Sequence, residues 1–395
     1  VTAMAPMLYP ATTDEILSMG QLGWALSRAS GLYVGMKAVT DTLDLTTTVT
    51  LPGHSFPIVM PDPAGRPSPN LRLNASALQQ EEAVIEHRLP VVPLFAALNR
   101  LDRISHDAPH RRLTVVTAGK AWLDLCQALA DLGLDEAKCH AIGLRVVKLG
   151  LVWPIDAKFI REACGGSAEL LVVEEKRAFI EEQLARIFYA GANAPALSGK
   201  TEPDGTRLLP EIGVLDPGSV RRALVRRLAA HGMLGEEQAA RDAALREIEG
   251  SALGLERTAI RGAYFCSGCP HNTSTLVPEG STAMGATGCH GLAHFMPEGR
   301  TMQTVSMGQE GMPWVAAQSF VDTPHMFQNL GDGTYTHSGL LSIRASVAAK
   351  SNVTYKILYN DAVAMTGGQP AEGALTAEQI VRELIVEGVS PVVLV

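Results

Sequence analysis

The sequence predicts an α/β protein built on parallel sheets covered by helices. Two observations carry this. From residue 111 short apolar runs alternate with amphipathic helix patterns, and the alternation resumes over 259–395. Strand–helix–strand order with short connections requires a parallel sheet with helices on both faces. Composition agrees: of 395 residues 46% are apolar and 19% charged, which excludes a disordered chain. At roughly 100–200 residues per domain the length suggests two or three domains. The formal charge of −8 argues against a nucleic-acid binder, which carries a basic face. No apolar run approaches the roughly 18 residues of a membrane span. Six cysteines are too few for a secreted disulfide framework and no signal peptide is visible, so a cytoplasmic, reducing location is expected.

Each element follows from a local pattern. Thr12 and Glu15 have capping-box spacing ahead of Ile16, Met19 and Leu22, which predicts a helix over about 13–29. The β-branched run Thr46 to Leu51 reads as a strand, and Gly53 to Pro69 as loop. Leu113–Val116, Leu144–Leu149 and Leu170–Val173 read as buried strands. Trp122–Leu132, Asp156–Ala163 and the apolar face Phe179, Ile180, Gln183, Leu184, Ile187 and Phe188 read as helices. Val116-Thr117-Ala118-Gly119-Lys120 faintly suggests a phosphate loop but lacks its glycine spacing. Ala192–Gly213, with Pro195, Pro203 and Pro210, reads as loop. Ser219–His231, carrying Arg221, Arg222, Arg226 and Arg227, and Glu236–Glu249 read as solvated surface helices. In the last third Thr323–Leu330 and Val353–Tyr359 read as strands, 338–350 and Thr376–Val386 as helices, and Pro391–Val395 as a buried strand. The chain starts at Val1 without an initiator Met and stops inside that apolar run, so a piece of a longer protein is expected.

Two clusters carry chemistry. Cys266, Cys269 and Cys289 fall within 24 residues, the first two as Cys266-Ser267-Gly268-Cys269-Pro270. A Cys-x2-Cys loop lets two thiolates point at one metal. Iron–sulfur ligation, a zinc site helped by His271, His290 and His294, a redox dithiol and inert buried thiols are the open readings. A fourth cysteine is missing here; Cys126, Cys139 and Cys164 lie on the earlier α/β unit. The second cluster is Gly331-Asp332-Gly333, after a strand and at the start of a helix, with Asn360 following the next strand and 26 residues between Gly333 and Asn360. Asp332, Asn360 and the main-chain carbonyl of Ala362 offer the hard oxygens that suit Mg2+ on a diphosphate. Gly331 and Gly333 would let the backbone approach it, and Gly367-Gly368 could expose further N–H groups. A simple turn is the alternative.

Together these residues resemble the thiamine-diphosphate signature. Phe265 to His271, Gly331 to Gly339 and Ile357 to Pro370 resemble the indolepyruvate:ferredoxin oxidoreductases, of the 2-oxoacid:ferredoxin oxidoreductase family. Val116–Lys120 and Val172–Lys176 look like that family's middle domain. Tyr9-Pro10 and Gly23–Arg28 look like the end of its pyrimidine-binding domain. The resemblance implies the following organisation: 1–105 the end of a pyrimidine-binding domain and linker; 106–190 a small α/β domain like the transketolase C-terminal domain; 191–258 a connector with charged helices; 259–395 a diphosphate-binding domain of thiamine-diphosphate-binding fold, truncated at its end.

By the same resemblance Asp332, Asn360 and the Ala362 carbonyl hold Mg2+. Gly308, Gly331, Gly333 and Gly367 lie on the cofactor, the first within Met307–Gly311 beside the thiazolium. Cys266, Cys269 and Cys289 hold a 4Fe-4S cluster, and His271 and His337 line the active site. The alternatives are that His337 only caps or bonds backbone, that His271 only supports the cluster and that Glu310 is an exposed loop acid. Asn360-Asp361 replaces the family's frequent Asn-Asn, and no residue is assigned as the glutamate that activates the aminopyrimidine. The implied reaction is oxidative decarboxylation of an aryl 2-oxo acid such as indolepyruvate to an acyl-coenzyme A, with electrons passing through the cluster to ferredoxin. A homodimer or larger assembly is expected, with no nucleic-acid or membrane partner. The rival readings are a non-oxidative thiamine-diphosphate decarboxylase or synthase and a zinc-stabilised binding module.

Overall fold

The structure, a computed structural model, describes residues 3–49, 57–65, 67–70, 73–189, 191, 193–253, 262–296 and 300–395. It divides into two compact units, residues 1–255 and 256–395. None of the described helices is long and apolar enough to cross a membrane.

The described residues of unit 1 form eight strands: β1 Met7–Leu8, β2 Gly35–Met36, β3 Arg103–His106, β4 Leu113–Ala118, β5 Leu144–Leu149, β6 Leu151–Trp153, β7 Glu169–Val173 and β8 Ala196–Ser198. Five form a sheet in the order β3-β5-β4-β7-β8, parallel except for β3 on one edge. Alternate residues feed two cores. Leu113, Val115, Val146, Leu171 and Val173 pack against helices Gly119–Asp131 and Pro217–Ala230. Val116, Val147, Leu149, Leu170 and Val172 pack against Ala157–Cys164 and Ile180–Phe188. Both faces are therefore covered, as a parallel sheet requires. A second sheet, β2-β1-β6, and helices Thr13–Ser30 and Val91–Leu98 build a third core around Leu8, Leu26, Phe95 and Leu151. Thr12 caps the first of these helices through Glu15 N, while the Glu15 carboxylate reaches back to Ala11 N at 2.8 Å.

Several local expectations are overturned. Residues 46–49 are exposed coil, not strand, and 50–51 lie outside the described residues. β-branched side chains favour a strand only where a partner and a buried face receive them, and Thr46–Thr48 have neither. Of the expected loop Gly53–Pro69, the described part is irregular, and 53–56 and 66 lie outside it. Ala192–Gly213 is not all loop, because Ala196–Ser198 pairs with β7. The arginine helix is not a solvated surface element. Arg221 and Arg227 are 2% and 7% exposed, because the helix packs its other side chains into the sheet core. Arg221 reaches Asp242 at 2.9 Å and Glu249 at 2.8 Å. Arg227 grips buried Glu169 bidentately at 2.8 and 2.7 Å. The phosphate-loop resemblance at 116–120 has a different cause. Gly119, at φ +52°, makes room for the Tyr9 ring, which a Cβ would approach to 2.2 Å. Lys120 is buried, bonded to the Leu215 carbonyl and 3.1 Å from Asp124.

Unit 2 is a four-stranded, wholly parallel sheet: β9 Ala283–Ala286, β10 Thr301–Val305, β11 Met326–Gly331 and β12 Val353–Leu358, in the order β10-β9-β11-β12. β11 and β12 pair without a break from Met326–Val353 to Gly331–Leu358. A continuous helical run, 332–348, leaves β11 directly, with a π-turn at Tyr335–Gly339 inside it. Helix Ala377–Val386 closes the core through Ile380 and Leu384, started by the Thr376–Gln379 capping box. Pro391–Val395 is irregular and mostly exposed rather than a buried strand; no strand of the sheet receives it.

Replacing Arg227 by Ala would strand Glu169 in the core. Burial by itself raises the Glu169 carboxyl; bonds from Arg227, Ser198 and His231 overcome it and hold the carboxyl below its ordinary value. The loss expected in urea denaturation is about 3–5 kcal/mol. The wild-type contribution is full above the unfolded carboxylate value of about 4.3 and is lost as pH falls through the lower folded value. A loss below about 1 kcal/mol at neutral pH would refute the pair as a buried one.

Candidate functional site

In a parallel sheet all carboxyl ends open on one side, and the loops that follow them converge there. In unit 2 these are the segments after Ala286, Val305, Gly331 and Leu358. The strand order reverses at β9: the chain passes to β10 on one side, then to β11 and β12 on the other. The crevice between the ends of β9 and β11 is thus the topological switch point, where α/β sheets bind ligands. A cavity of about 720 Å³ opens there. Its lining draws on all four loops, including His290, Met307, Asp332 and Asn360.

Asp332 is the knot of the site. It is buried at the start of the helical run. One carboxylate oxygen accepts from Gly333 N at 2.9 Å. The other accepts from Asn360 N at 3.0 Å and Asp361 N at 2.7 Å. The exposed Asn360 amide oxygen accepts from Ala362 N at 3.1 Å. Asp332 and Asn360, 28 residues apart in sequence, therefore meet because β11 and β12 are paired neighbours ending in register. Gly331 is extended, at φ −78° and ψ 149°, so its conformation does not demand glycine; space does, because a Cβ would stand 3.3 Å from His290 Nε2.

The other expected residues divide. His271 and His337 both line the cavity. His271 is half-buried, 3.4 Å from Ser274 Oγ, and burial lowers its pKa. His337 is exposed and lies 2.8 Å from Ser338 Oγ. Gly333 and Ala362 line the cavity, whereas Gly308 and Gly367 stand beside it. Gly308 turns at φ +84° and donates to Glu310 Oε2 at 2.8 Å. Glu310 is not an exposed loop acid: it is wholly buried, and burial pushes its carboxyl up.

Cys266 and Cys269 share one tight turn, with Cys269 N bonded to Cys266 O at 3.0 Å and Gly268 at φ +74°. Cys289 sits on the β9 loop, 3.9 Å from Met365 Sδ. Among the described residues no three Cys, His, Asp or Glu side chains are arranged to hold a metal ion. The three thiols as they stand do not form a cluster ligand set. The diphosphate site fits better. Asp332 and Asn360 supply hard oxygens at one strand end. Among the described residues of unit 2, buried side-chain polar atoms without a partner occur on His290, Glu310 and Asn329 alone. Asn329 lies on β11, and the other two lie in the loops after β9 and β10. Sequence reading passed over His290 except as a possible zinc ligand, because burial without a partner has no local pattern.

Comparison with known proteins shows what these features are similar to. Residues 103–252 match the family model described as "Indolepyruvate oxidoreductase domain". The indolepyruvate oxidoreductase subunit IorA of Methanothermobacter marburgensis is 25% identical over 99% of this chain. The corresponding subunit of Pyrococcus abyssi is 24% identical over 66% of it. The chain spans 62% of the length of the first of these relatives and 40% of the second. A solved 2-oxoglutarate:ferredoxin oxidoreductase from Magnetococcus marinus aligns over 57% of this chain and 42% of its own, with 10% identity and a TM-score of 0.34. The chain is thus similar to an indolepyruvate oxidoreductase domain over residues 103–252 and to IorA subunits over 99% of its length.

Proposed function

We propose that this chain carries the diphosphate-binding part of a thiamine-diphosphate-dependent 2-oxo acid oxidoreductase, acting on an aryl substrate such as indolepyruvate. The observation that supports it most is the clasp between Asp332 and the backbone of Asn360 and Asp361 at the mouth of the cavity. Asp332, Asn360 and the Ala362 carbonyl would hold Mg2+, and the N–H groups opening the helical run would face the diphosphate. Thiamine diphosphate, when bound, supplies the electron sink that decarboxylation of a 2-oxo acid needs. His271, kept neutral by burial at the cavity wall, offers one ring N–H and one acceptor to the substrate. His337, exposed at the mouth, offers the same groups to the entering molecule. Coenzyme A as acyl acceptor, ferredoxin as electron acceptor, a multi-subunit assembly and a cytoplasmic location complete the reading. Subunit names among the relatives support the assembly.

Cys266, Cys269 and Cys289 are proposed as 4Fe-4S ligands on their spacing and on the resemblance, and no electron step is routed through them. Their ungathered arrangement favours one second reading, a non-oxidative thiamine-diphosphate decarboxylase or synthase.

Iron and acid-labile sulfide analysis of the anaerobically prepared full-length protein separates the two. The oxidoreductase reading expects both elements, visible absorption bleached by indolepyruvate plus coenzyme A, and loss of iron in Cys266→Ser. Protein free of iron after anaerobic reconstitution would leave only the non-oxidative reading. The cofactor site has its own test in thermal melting. Mg2+ with thiamine diphosphate at about a hundredfold over Kd should stabilise the wild type by about 2.7 kcal/mol. Asp332→Asn should abolish that gain and cost about 1–3 kcal/mol without ligand, since one acceptor oxygen becomes a donor facing backbone N–H groups. An unchanged ligand-induced shift in Asp332→Asn would sink the assignment.

A further inference from the structure

We propose that His290 is a binding residue of the cavity, donating its ring N–H to the diphosphate held over Gly331–Gly333. The inference rests on the thiamine-diphosphate reading and extends it to a residue outside the Gly-Asp-Gly and Asn signature.

Three observations converge. The imidazole is 3% exposed, yet neither ring nitrogen has a hydrogen-bond partner. Its nearest aromatic neighbour, the His271 ring, stands edge-on at 6.1 Å between centroids and satisfies neither nitrogen. Second, the ring lies in the switch-point crevice. It follows β9 and lines the cavity, and its Nε2 is the nearest atom to where a Cβ on Gly331 would stand. Gly288 and Gly331 flank it, one at the end of each strand loop, and a side chain on either would press on the ring. Third, the same crevice contains the start of the helical run 332–348, which has no side-chain cap. The positive end of the helix favours an anion there.

An imidazole carries at least one ring N–H in either charge state, so the buried ring always has a donor to place. A buried donor without a partner costs stability, and an anionic oxygen in the crevice would satisfy it with a charge-assisted bond. The sequence fits the same picture, since a purely structural position between two glycines would be filled better by an apolar side chain.

The test uses the 395-residue chain in isothermal titration with two probes, Mg2+ plus inorganic pyrophosphate and Mg2+ plus thiamine diphosphate. His290→Leu should weaken both about tenfold or more, while its ligand-free melting temperature stays at or above that of the wild type. His290→Gln, which keeps a donor, should recover most of the affinity for both. Wild-type affinity for both probes in His290→Leu overturns the inference. So does a loss confined to thiamine diphosphate, which would put the contact on the organic part of the cofactor. A lower ligand-free melting temperature in His290→Leu, with equal loss of binding in His290→Gln, overturns it too, in favour of a packing role. If the wild type binds neither probe, the thiamine-diphosphate reading itself fails and the inference falls with it.

Discussion

The site depends on one constraint, the in-register parallel pairing of β11 with β12. Because Gly331 stands opposite Leu358, the residues that leave the two strands emerge side by side. Asp332 then needs no long reach to accept from Asn360 N and Asp361 N. A slip of one residue would send every side chain to the opposite face and part the carboxylate from its donors. The clasp holds the β12 loop against the helix start, so the amide oxygen of Asn360 and the carboxylate of Asp332 share one rim. The π-turn at Tyr335–Gly339 lies within the same run, placing His337 one turn from the clasp and at the mouth. π-turns inside α-helices recur at functional sites, and here one adjusts the angle at which the histidine leaves the helix.

Unit 1 solves a different problem. Its helices carry many charges, yet they must cover a sheet whose strands are buried on both faces. Arg221 and Arg227 do so by burying their stems against the core while their guanidinium groups meet Asp242, Glu249 and Glu169. A planar fork bonded to carboxylates satisfies several donors at once, which a lysine would not match. Such pairs add little net stability over well-packed apolar groups, but each partner makes the other indispensable. The helix read as a solvated surface element is for that reason part of the core.

Much of this was legible in the sequence because the controlling patterns are local. Strands at 113–118, 144–149 and 169–173 show as apolar or β-branched runs, those at 326–331 and 353–358 show more weakly, and Thr376 with Gln379 announces a helix start. The Gly-Asp-Gly and Asn pair could be placed because strand–helix–strand order fixes where loops emerge. What escaped depends on partners distant in sequence. β9 is Ala-Met-Gly-Ala and has no strand signature; it is a strand because β10 and β11 flank it. Thr46–Thr48 has the signature and no partner. Glu310 and His290 sit in polar, glycine-rich loops that look exposed, and burial comes only from the converging strand ends.

The cysteines show how burial sorts residues that sequence treats alike. A thiolate, not a thiol, ligates metal, and desolvation opposes its formation. Cys139 and Cys164 are fully buried, and burial pushes both thiols up to about 12. Cys126, half-buried on a helix of the sheet core, is raised by the same cause. Cys266 is exposed, and Cys269 and Cys289 are half-buried, so the accessible thiols are the three in unit 2. Four ligands close a 4Fe-4S cluster. Burial raises the pKa of all three thiols outside unit 2, including half-buried Cys126, whereas the three in unit 2 share one stretch of chain. A cluster here therefore requires a fourth ligand that is not one of these thiols, and requires the turn at 266–269 and the β9 loop to close on it. Of these elements the β9 loop also lines the cavity, with Cys289 beside His290, while the clasp of Asp332 with Asn360 and Asp361 joins the ends of β11 and β12. In the proposed reading the carbon chemistry therefore rests on a preformed clasp, and the electron chemistry on thiols that must still be gathered.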